Sequence, residues 1–167
     1  EDAAQAFGAK FNGKRAGSIG DIAAFSLNPI KIFSGYGESG MICTSNKIIK
    51  KKLEILRYAG LIKKKNYECH EPELNHKIDE LQASLLLHKL NKVDFLIKKR
   101  INNAEYYQKF LSNKIEKPKF KKNFEHIYYT YTVKVKRNRK KFIKYLNKSG
   151  IETQIQHSKL VTDHKNL

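Results

Sequence analysis

The stretch FSLNPIKIFSGYGESG, residues 25 to 40, sets one lysine, Lys31, between a short apolar strand and a glycine-rich turn. Ile22 to Phe25 ahead of it and Met41 to Thr44 behind it each read as a short buried strand bounded by turn formers. Lys31 follows Pro29 closely, and Ser26 stands at the end of the first strand, so one loop presents both a hydroxyl and an amine. Upstream, EDAAQAFGA (1 to 9) puts Glu1, Asp2 and Gln5 at the end of what must be a neighbouring strand. Polar clusters at adjacent strand ends are where α/β proteins bind ligands, and α/β is the expected fold class.

Within the same stretch Gly35, Gly37 and Gly40 spell GxGxxG. The dinucleotide-binding version needs a strand before and a helix after, so that pyrophosphate meets a helix N-terminus. Here the strand pattern MICT follows, so these glycines instead free the backbone to turn beside a bulky ligand.

The 167 residues carry a formal net charge of +18, with 40% apolar and 30% charged residues. A chain of this length buries roughly 70% of its unfolded surface, enough for a real core. No apolar run approaches a membrane span and no signal peptide is readable, so neither membrane nor secretion is indicated, and the expected location is the cytoplasm. Cys43 and Cys69 have no metal-ligand or disulfide spacing, and no metal site is expected. The charge is uneven: residues 1 to 44 hold four basic and four acidic side chains, whereas 45 to 167 hold 30 basic against 12 acidic. Only five of the basic residues are arginines, which argues against base readout. Solvated lysine faces are expected, not a nucleic-acid site, although a positive field can help draw a phosphorylated substrate. The chain opens without methionine and inside a motif, and is expected to be a fragment or a processed piece.

Further along, Ser45 or Asn46 caps a helix through Ile48, Ile49, Leu53 and Leu56 that stops at Gly60. KKKNYECHEPE (63 to 73) reads as a loop. Ile78, Leu81, Leu85, Leu86, Leu90, Val93 and Ile97 make one apolar face of a long helix, and a second helix is expected from about Asn102 to Leu111. The alternation Tyr129, Tyr131, Val133, Val135 in YYTYTVKV (128 to 135) marks a strand. A helix over 139 to 148, closed by Gly150, leads to a last strand near 151 to 156. The division expected is a large domain over 1 to 98 and a small α/β domain over 99 to 167.

Pyridoxal phosphate needs a hydroxyl for its phosphate, an amine that attacks its carbonyl as a Schiff-base nucleophile, and a carboxylate facing its pyridine nitrogen. Ser26, Lys31 and Asp2 supply those three groups. The ordinary alternative for Asp2 and Gln5 is a helix start, with Asp2 as N-cap of AAQA.

EDAAQAFGA, GSIGDIAAFSLNPIK (17 to 31), the GYGESG turn and LNHKIDELQA (74 to 83) together resemble the DegT/DnrJ/StrS group of nucleotide-sugar aminotransferases. These are fold-type-I pyridoxal phosphate enzymes. The resemblance is dense in 1 to 44 and 74 to 83 and thin in 103 to 149, and GIETQIQH (150 to 157) looks like the group's closing strand. It implies the central and C-terminal part of such an enzyme, with part of a large mixed-sheet domain and a small C-terminal domain. By the same resemblance Lys31 is the catalytic and cofactor-binding lysine, Asp2 pairs with the pyridine nitrogen, Gln5 lies against the ring, and Ser26 holds the phosphate. Asn75 would reach across a homodimer interface to the neighbouring subunit's phosphate, unless it is simply a helix N-cap.

The implied reaction moves an amino group from an amino acid, with glutamate as the expected donor, to a nucleotide-linked ketosugar. Members with histidine in place of the lysine are dehydratases, so Lys31 favours transamination. Competing readings are a dehydratase of the same group and a lysine-rich module binding nucleic acid or an acidic partner. Glu38 stands where the group often has aspartate, and Gln156, His157 and Ser158 replace a common His-Tyr-Pro. His70, His76 and His126 have no readable partner. The isolated chain, lacking the group's upstream cofactor contacts, is expected to bind the cofactor weakly or not at all.

Overall fold

A computed structural model describes residues 1 to 62, 66 to 155, 157 to 163 and 165. Gln156, one of the expected departures at the closing strand, lies outside the described residues, as do Lys63, Lys64 and Lys65 of the expected loop. The elements in order are β1 (Lys10–Phe11), β2 (Lys14–Arg15), β3 (Ala23–Ser26), β4 (Gly40–Cys43), α1 (Lys47–Arg57), β5 (Leu61–Ile62), β6 (Glu68–Cys69), α2 (Glu80–Leu90), α3 (Val93–Phe110), β7 (Phe124–Glu125) and α4 (Arg139–Lys148), followed by a 3₁₀ turn at Val161–Asp163. Contacts divide the chain into one unit of Glu1–Leu111 with Pro118–Thr132 and a second of Ser112–Lys117 with Val133–Leu167.

In the first unit, β3 and β4 form an antiparallel pair in register Ala23↔Cys43 to Ser26↔Gly40, as the two apolar runs predict. Ala23 and Phe25 point inward and pack with Ala3, while the neighbouring cluster of Leu27, Ile32, Phe33, Leu86, Val93, Ile97 and Ile127 forms the main core. Phe7 joins the two by ring contacts to Phe25 and Phe33, at centroid distances of 5.6 and 4.5 Å. A third small sheet, β2-β1-β7, brings Phe11 opposite Phe124.

α1 starts where the sequence places it: the Asn46 carboxamide oxygen accepts from the N–H groups of Ile48 and Ile49 at 2.8 and 3.2 Å. It ends as Ala59 and Gly60 turn to positive φ, 54° and 69°. Within the stretch expected as a plain loop, Glu68 and Cys69 pair with Ile62 and Leu61 ahead of it, in register Leu61↔Cys69 and Ile62↔Glu68.

The long helix expected through Ile97 is divided earlier. Asn91 and Lys92 make a tight turn, Lys92 N–H donating to the Lys89 carbonyl at 2.9 Å, and α3 then runs unbroken through the expected gap near 98 to 102. Burial of Val93, Ile97 and Ala104 along one face holds α3 together across the polar run Lys98–Asn103.

The remaining expected strands depart further. YYTYTVKV, divided between the two units after Thr132, forms no strand beyond a single bridge, Glu116↔Lys134, and the described part of 151 to 156 forms none. Alternation makes a segment fit for a half-buried strand, but its backbone groups also need a paired edge, and one bridge is the only strand pairing they make among the described residues. α4 and its stop at Gly150, φ 74°, are as predicted. No described helix is long and apolar enough to cross a membrane, and no described group of three or more His, Cys, Asp or Glu could hold a metal ion.

Candidate functional site

The opening segment runs beside β3. Ala3 N–H donates to the Ala24 carbonyl at 2.9 Å and Ala24 N–H to the Glu1 carbonyl at 3.0 Å, making a parallel bridge between Asp2 and Ala24. Paired residues share a face and so do residues two apart on a strand, so Asp2, Ala24 and Ser26 project from one face while Ala3, Ala23 and Phe25 fill the other. A carboxylate and a hydroxyl are thereby placed at adjoining strand ends.

Asp2 caps a turn, not a helix: its Oδ1 accepts from the Ala4 N–H at 3.1 Å, and residues 4 to 9 continue as turns. Gln5 is exposed in the first of these. Glu1 is committed elsewhere. Its carboxylate accepts from the N–H groups of Gly20, Gly17 and Ile19 at 2.6, 2.8 and 2.7 Å. Those donors, Gly20 foremost, hold it below the ordinary carboxylate range.

The loop after Ser26 is closed on itself. Leu27 N–H donates to the Ser39 carbonyl at 2.9 Å and Gly35 N–H to the Leu27 carbonyl at 2.7 Å. Inside that closure Asn28 is used three ways: its Oδ1 accepts from Ile30 N–H at 3.0 Å, its carbonyl from Lys31 N–H at 2.9 Å, and its Nδ2 donates to Glu38 at 2.6 Å. Ile32 and Phe33 are then sunk in the core. Lys31 is thus held by a turn on one side and two apolar anchors on the other. Its side chain is half-buried, and Nζ lies 4.8 Å from the centre of the Tyr129 ring. Arg100 of α3 fixes that ring's backbone, Nη1 donating to the carbonyls of Tyr128 and Tyr129 at 3.4 and 3.2 Å. No described carboxylate pairs with Lys31.

Of the five residues singled out in the sequence, Asp2, Gln5, Ser26 and Lys31 belong to this one β3-centred region of the first unit. Asn75 does not join them. It forms an antiparallel bridge with Tyr58 just past α1, and its Oδ1 accepts from Lys77 N–H at 3.2 Å. Nor is it the cap of α2, a task that falls to Asp79, whose Oδ1 accepts from Gln82 N–H at 2.8 Å.

Several neighbours were not legible. Tyr129 and Arg100 carry no sequence signal that points to Lys31. Gln82 and Lys89 lie seven apart, on one helix face, and that spacing is the only hint that they act together. Of His70, His76 and His126, two find side-chain partners among the described residues: His76 lies 3.1 Å from Glu73, and His126 Nδ1 accepts from Tyr128 N–H at 2.9 Å while its ring stacks on Phe120. Burial pushes the His126 imidazole below its ordinary value.

By chemical type, Ser26, Lys31 and Asp2 are the groups that a phosphate-bearing, carbonyl-bearing pyridine calls for. Ser26 Oγ accepts a long 3.4 Å contact from Asn28 N–H, and no described acceptor takes its proton. Gly40 opposite adds no side chain, since a Cβ there would sit 3.2 Å from the Phe25 carbonyl oxygen. The amine and the carboxylate complete the three groups such a ligand requires.

The profile of the DegT/DnrJ/EryC1/StrS aminotransferase family matches residues 1 to 166. The chain is 38% identical over 158 residues to the dTDP-3-amino-3,6-dideoxy-alpha-D-galactopyranose transaminase of Aneurinibacillus thermoaerophilus, covering 94% of this chain and 43% of that protein. Superposition on a DegT DnrJ EryC1 StrS aminotransferase from Brucella abortus gives a TM-score of 0.92 at 25% identity, over 99% of this chain and 44% of that one. The DesV structure from S. venezuelae, solved in complex with a ketimine intermediate, gives 0.83 at 30% identity over 90% and 40%. The chain therefore spans less than half the length of these proteins.

Proposed function

The chain belongs to the DegT/DnrJ/EryC1/StrS aminotransferase family, and we propose that it supplies the lysine-bearing part of a pyridoxal-phosphate-dependent enzyme that aminates a nucleotide-linked ketosugar. The observation that carries this reading is the shared face of Asp2 and Ser26 beside a loop that pins Lys31. The matched transaminases act on nucleotide sugars by name, which supports the same substrate class here.

When bound, pyridoxal phosphate supplies a carbonyl for amine exchange and a ring that takes up the electron pair of a cleaved C–H bond. Ser26 Oγ would donate to the phosphate. The Asp2 carboxylate would keep the proton on the pyridine nitrogen, and Gln5 would lie against the ring. Lys31 Nζ would hold the cofactor at rest and, once the donor's amine displaces it, would take up the proton from the donor's α-carbon. On the ketosugar the same amine would act in reverse, delivering a proton to the sugar carbon that gains nitrogen, with glutamate as the amino donor. Asn75, standing apart from the other four, serves the site of a second copy in a cytoplasmic homodimer. Residues 1 to 98 belong to the large domain of that enzyme and 99 to 167 to its small one. By itself the chain binds the cofactor weakly or not at all.

In the protein that carries this sequence, borohydride treatment after loading with pyridoxal phosphate should fix the label on Lys31, distinguished by peptide mass mapping from the other lysines, 29 of them in this chain with Lys31 included. Lys31→Ala should abolish the visible chromophore and reduce glutamate-dependent amino transfer by about 10²–10⁴-fold, the range for loss of a positioned proton-transfer group. A chromophore that survives Lys31→Ala, or a label on another lysine, overturns the reading.

A further inference from the structure

The GYG turn and the LQA motif belong to distant parts of the sequence, yet they meet. Gln82 of α2 accepts the Tyr36 N–H on its Oε1 at 2.8 Å. Its amide lies so close to the turn that a Cβ on Gly35 would stand 2.9 Å from Oε1, and one on Gly37 2.6 Å from Nε2. Two helical turns on, Lys89 Nζ donates to the Ser34 carbonyl and hydroxyl at 2.8 and 3.2 Å and sits 4.4 Å from the centre of the Tyr36 ring. Between them Leu86 packs in the core cluster with Leu27, Ile32 and Phe33.

One face of α2 therefore grips the chain immediately after Lys31 at three points, by an amide, an apolar side chain and an ammonium. Ser34 is buried, and Gly35 next to it closes the whole 27 to 35 excursion through the Leu27 carbonyl. Any slip of 34 to 37 along α2 is passed through that closure to Lys31. We infer that the Gln82–Leu86–Lys89 face of α2 is a clamp that sets the position of Lys31, with Gln82 and Lys89 as positioning residues. Its relevance to catalysis rests on the proposed role of Lys31, whereas the clamp itself is testable without cofactor.

The test uses Gln82→Ala, Lys89→Met and Lys89→Arg in the cofactor-free form of the protein that carries this chain. Each is treated briefly with acetic anhydride, and acetylation of Lys31 is read against exposed Lys144 by peptide mass spectrometry. Loss of one clamp contact should raise the Lys31 to Lys144 ratio about fivefold, the population change expected when one net hydrogen bond is lost. The thermal midpoint should fall by no more than about 2–8 °C, Lys89→Arg should restore the wild-type ratio, and Tyr36 amide exchange should quicken in Gln82→Ala. Ratios within about twofold of wild type in the folded variants, or no rescue by Lys89→Arg, overturn the clamp. If Gln82→Ala fails to fold, the comparison of Lys89→Met with Lys89→Arg decides alone. Failure of borohydride labelling at Lys31 would count against the cofactor reading and leave the acetylation result standing.

Discussion

Residues 1 to 44 and the second unit are built by opposite means. The first stretch balances four basic against four acidic side chains and buries Ala3, Ala23, Phe25, Leu27, Ile32, Phe33 and Ser34. In the second unit twelve basic residues face three acidic ones, and no described residue is buried. Asn28 and Glu1 each make more than three hydrogen bonds that define loop positions, because apolar anchors on either side keep the loop from sampling alternatives. The second unit has polar groups in plenty and no such anchors. Polar contacts fix position where burial has already removed the competing conformations.

Core truncation should expose that contrast most strongly. Leu86→Ala removes a buried side chain from the main cluster and should cost about 2–5 kcal/mol in urea unfolding. Phe142→Ala, on the partly covered face of α4, should cost about 1 kcal/mol or less. Equal losses would show that the second unit owes as much to its apolar side chains as the first, and the contrast would collapse.

Two glycines sharpen it next. Gly60 and Gly150 both end helices with a left-handed backbone, φ 69° and 74°. A Cβ at Gly60 would collide with the Glu71 backbone, whereas one at Gly150 has no atom within 4 Å. Gly60→Ala should therefore cost about 3 kcal/mol or more, conformational strain plus a clash that backbone cannot relieve, and Gly150→Ala only the strain of roughly 1–2 kcal/mol. Thermal melts of the two variants give the comparison directly.

The same contrast explains what could be read in advance. The β3–β4 pair and α1 were legible because short apolar runs and one capping asparagine are local signals. The division between α2 and α3 was not, since Leu86, Val93, Ile97, Ile101 and Ala104 keep helical spacing straight across it, with no glycine or proline to mark the turn. YYTYTVKV misled for a different reason: alternation reports which side chains face inward, and pairing depends on an edge elsewhere. In the site, Asp2, Ser26 and Lys31 stood out as chemistry-bearing residues at strand ends. Tyr129, Gln82 and Lys89 did not, because a contact made between distant segments leaves in neither of them a signal that names its partner.

A smaller effect should separate the units by pH. His126, in the part of the first unit that returns after Pro118, is held below its ordinary imidazole value by burial, and its Nδ1 accepts a backbone N–H. Its folded form therefore resists a proton that the unfolded chain accepts. The stabilisation is complete above the unfolded value of about 6.5 and is lost as pH falls through the lower folded value. The urea midpoint of the first unit should fall between about pH 7.5 and pH 5.5, and His126→Phe should flatten that part of the profile. A slope unchanged by the substitution would assign the titration to another group.

The smallest effect belongs to the second unit's own polar link. Lys134 Nζ lies 3.3 Å from Glu116, beside the backbone bridge between the same two residues. Both side chains are well exposed, so screening and the entropy of holding them should leave less than about 1 kcal/mol in a double-mutant cycle of Lys134→Met with Glu116→Gln. The excess of lysines around the pair adds a second expectation: salt weakens this attraction, but it also screens the repulsion among twelve cations. Raising ionic strength should therefore stabilise the second unit on balance and leave the neutral 1 to 44 region nearly unmoved. Net destabilisation of the second unit by salt would mean that its few ion pairs outweigh its like-charge crowding, and that polar contacts can organise an unanchored region after all.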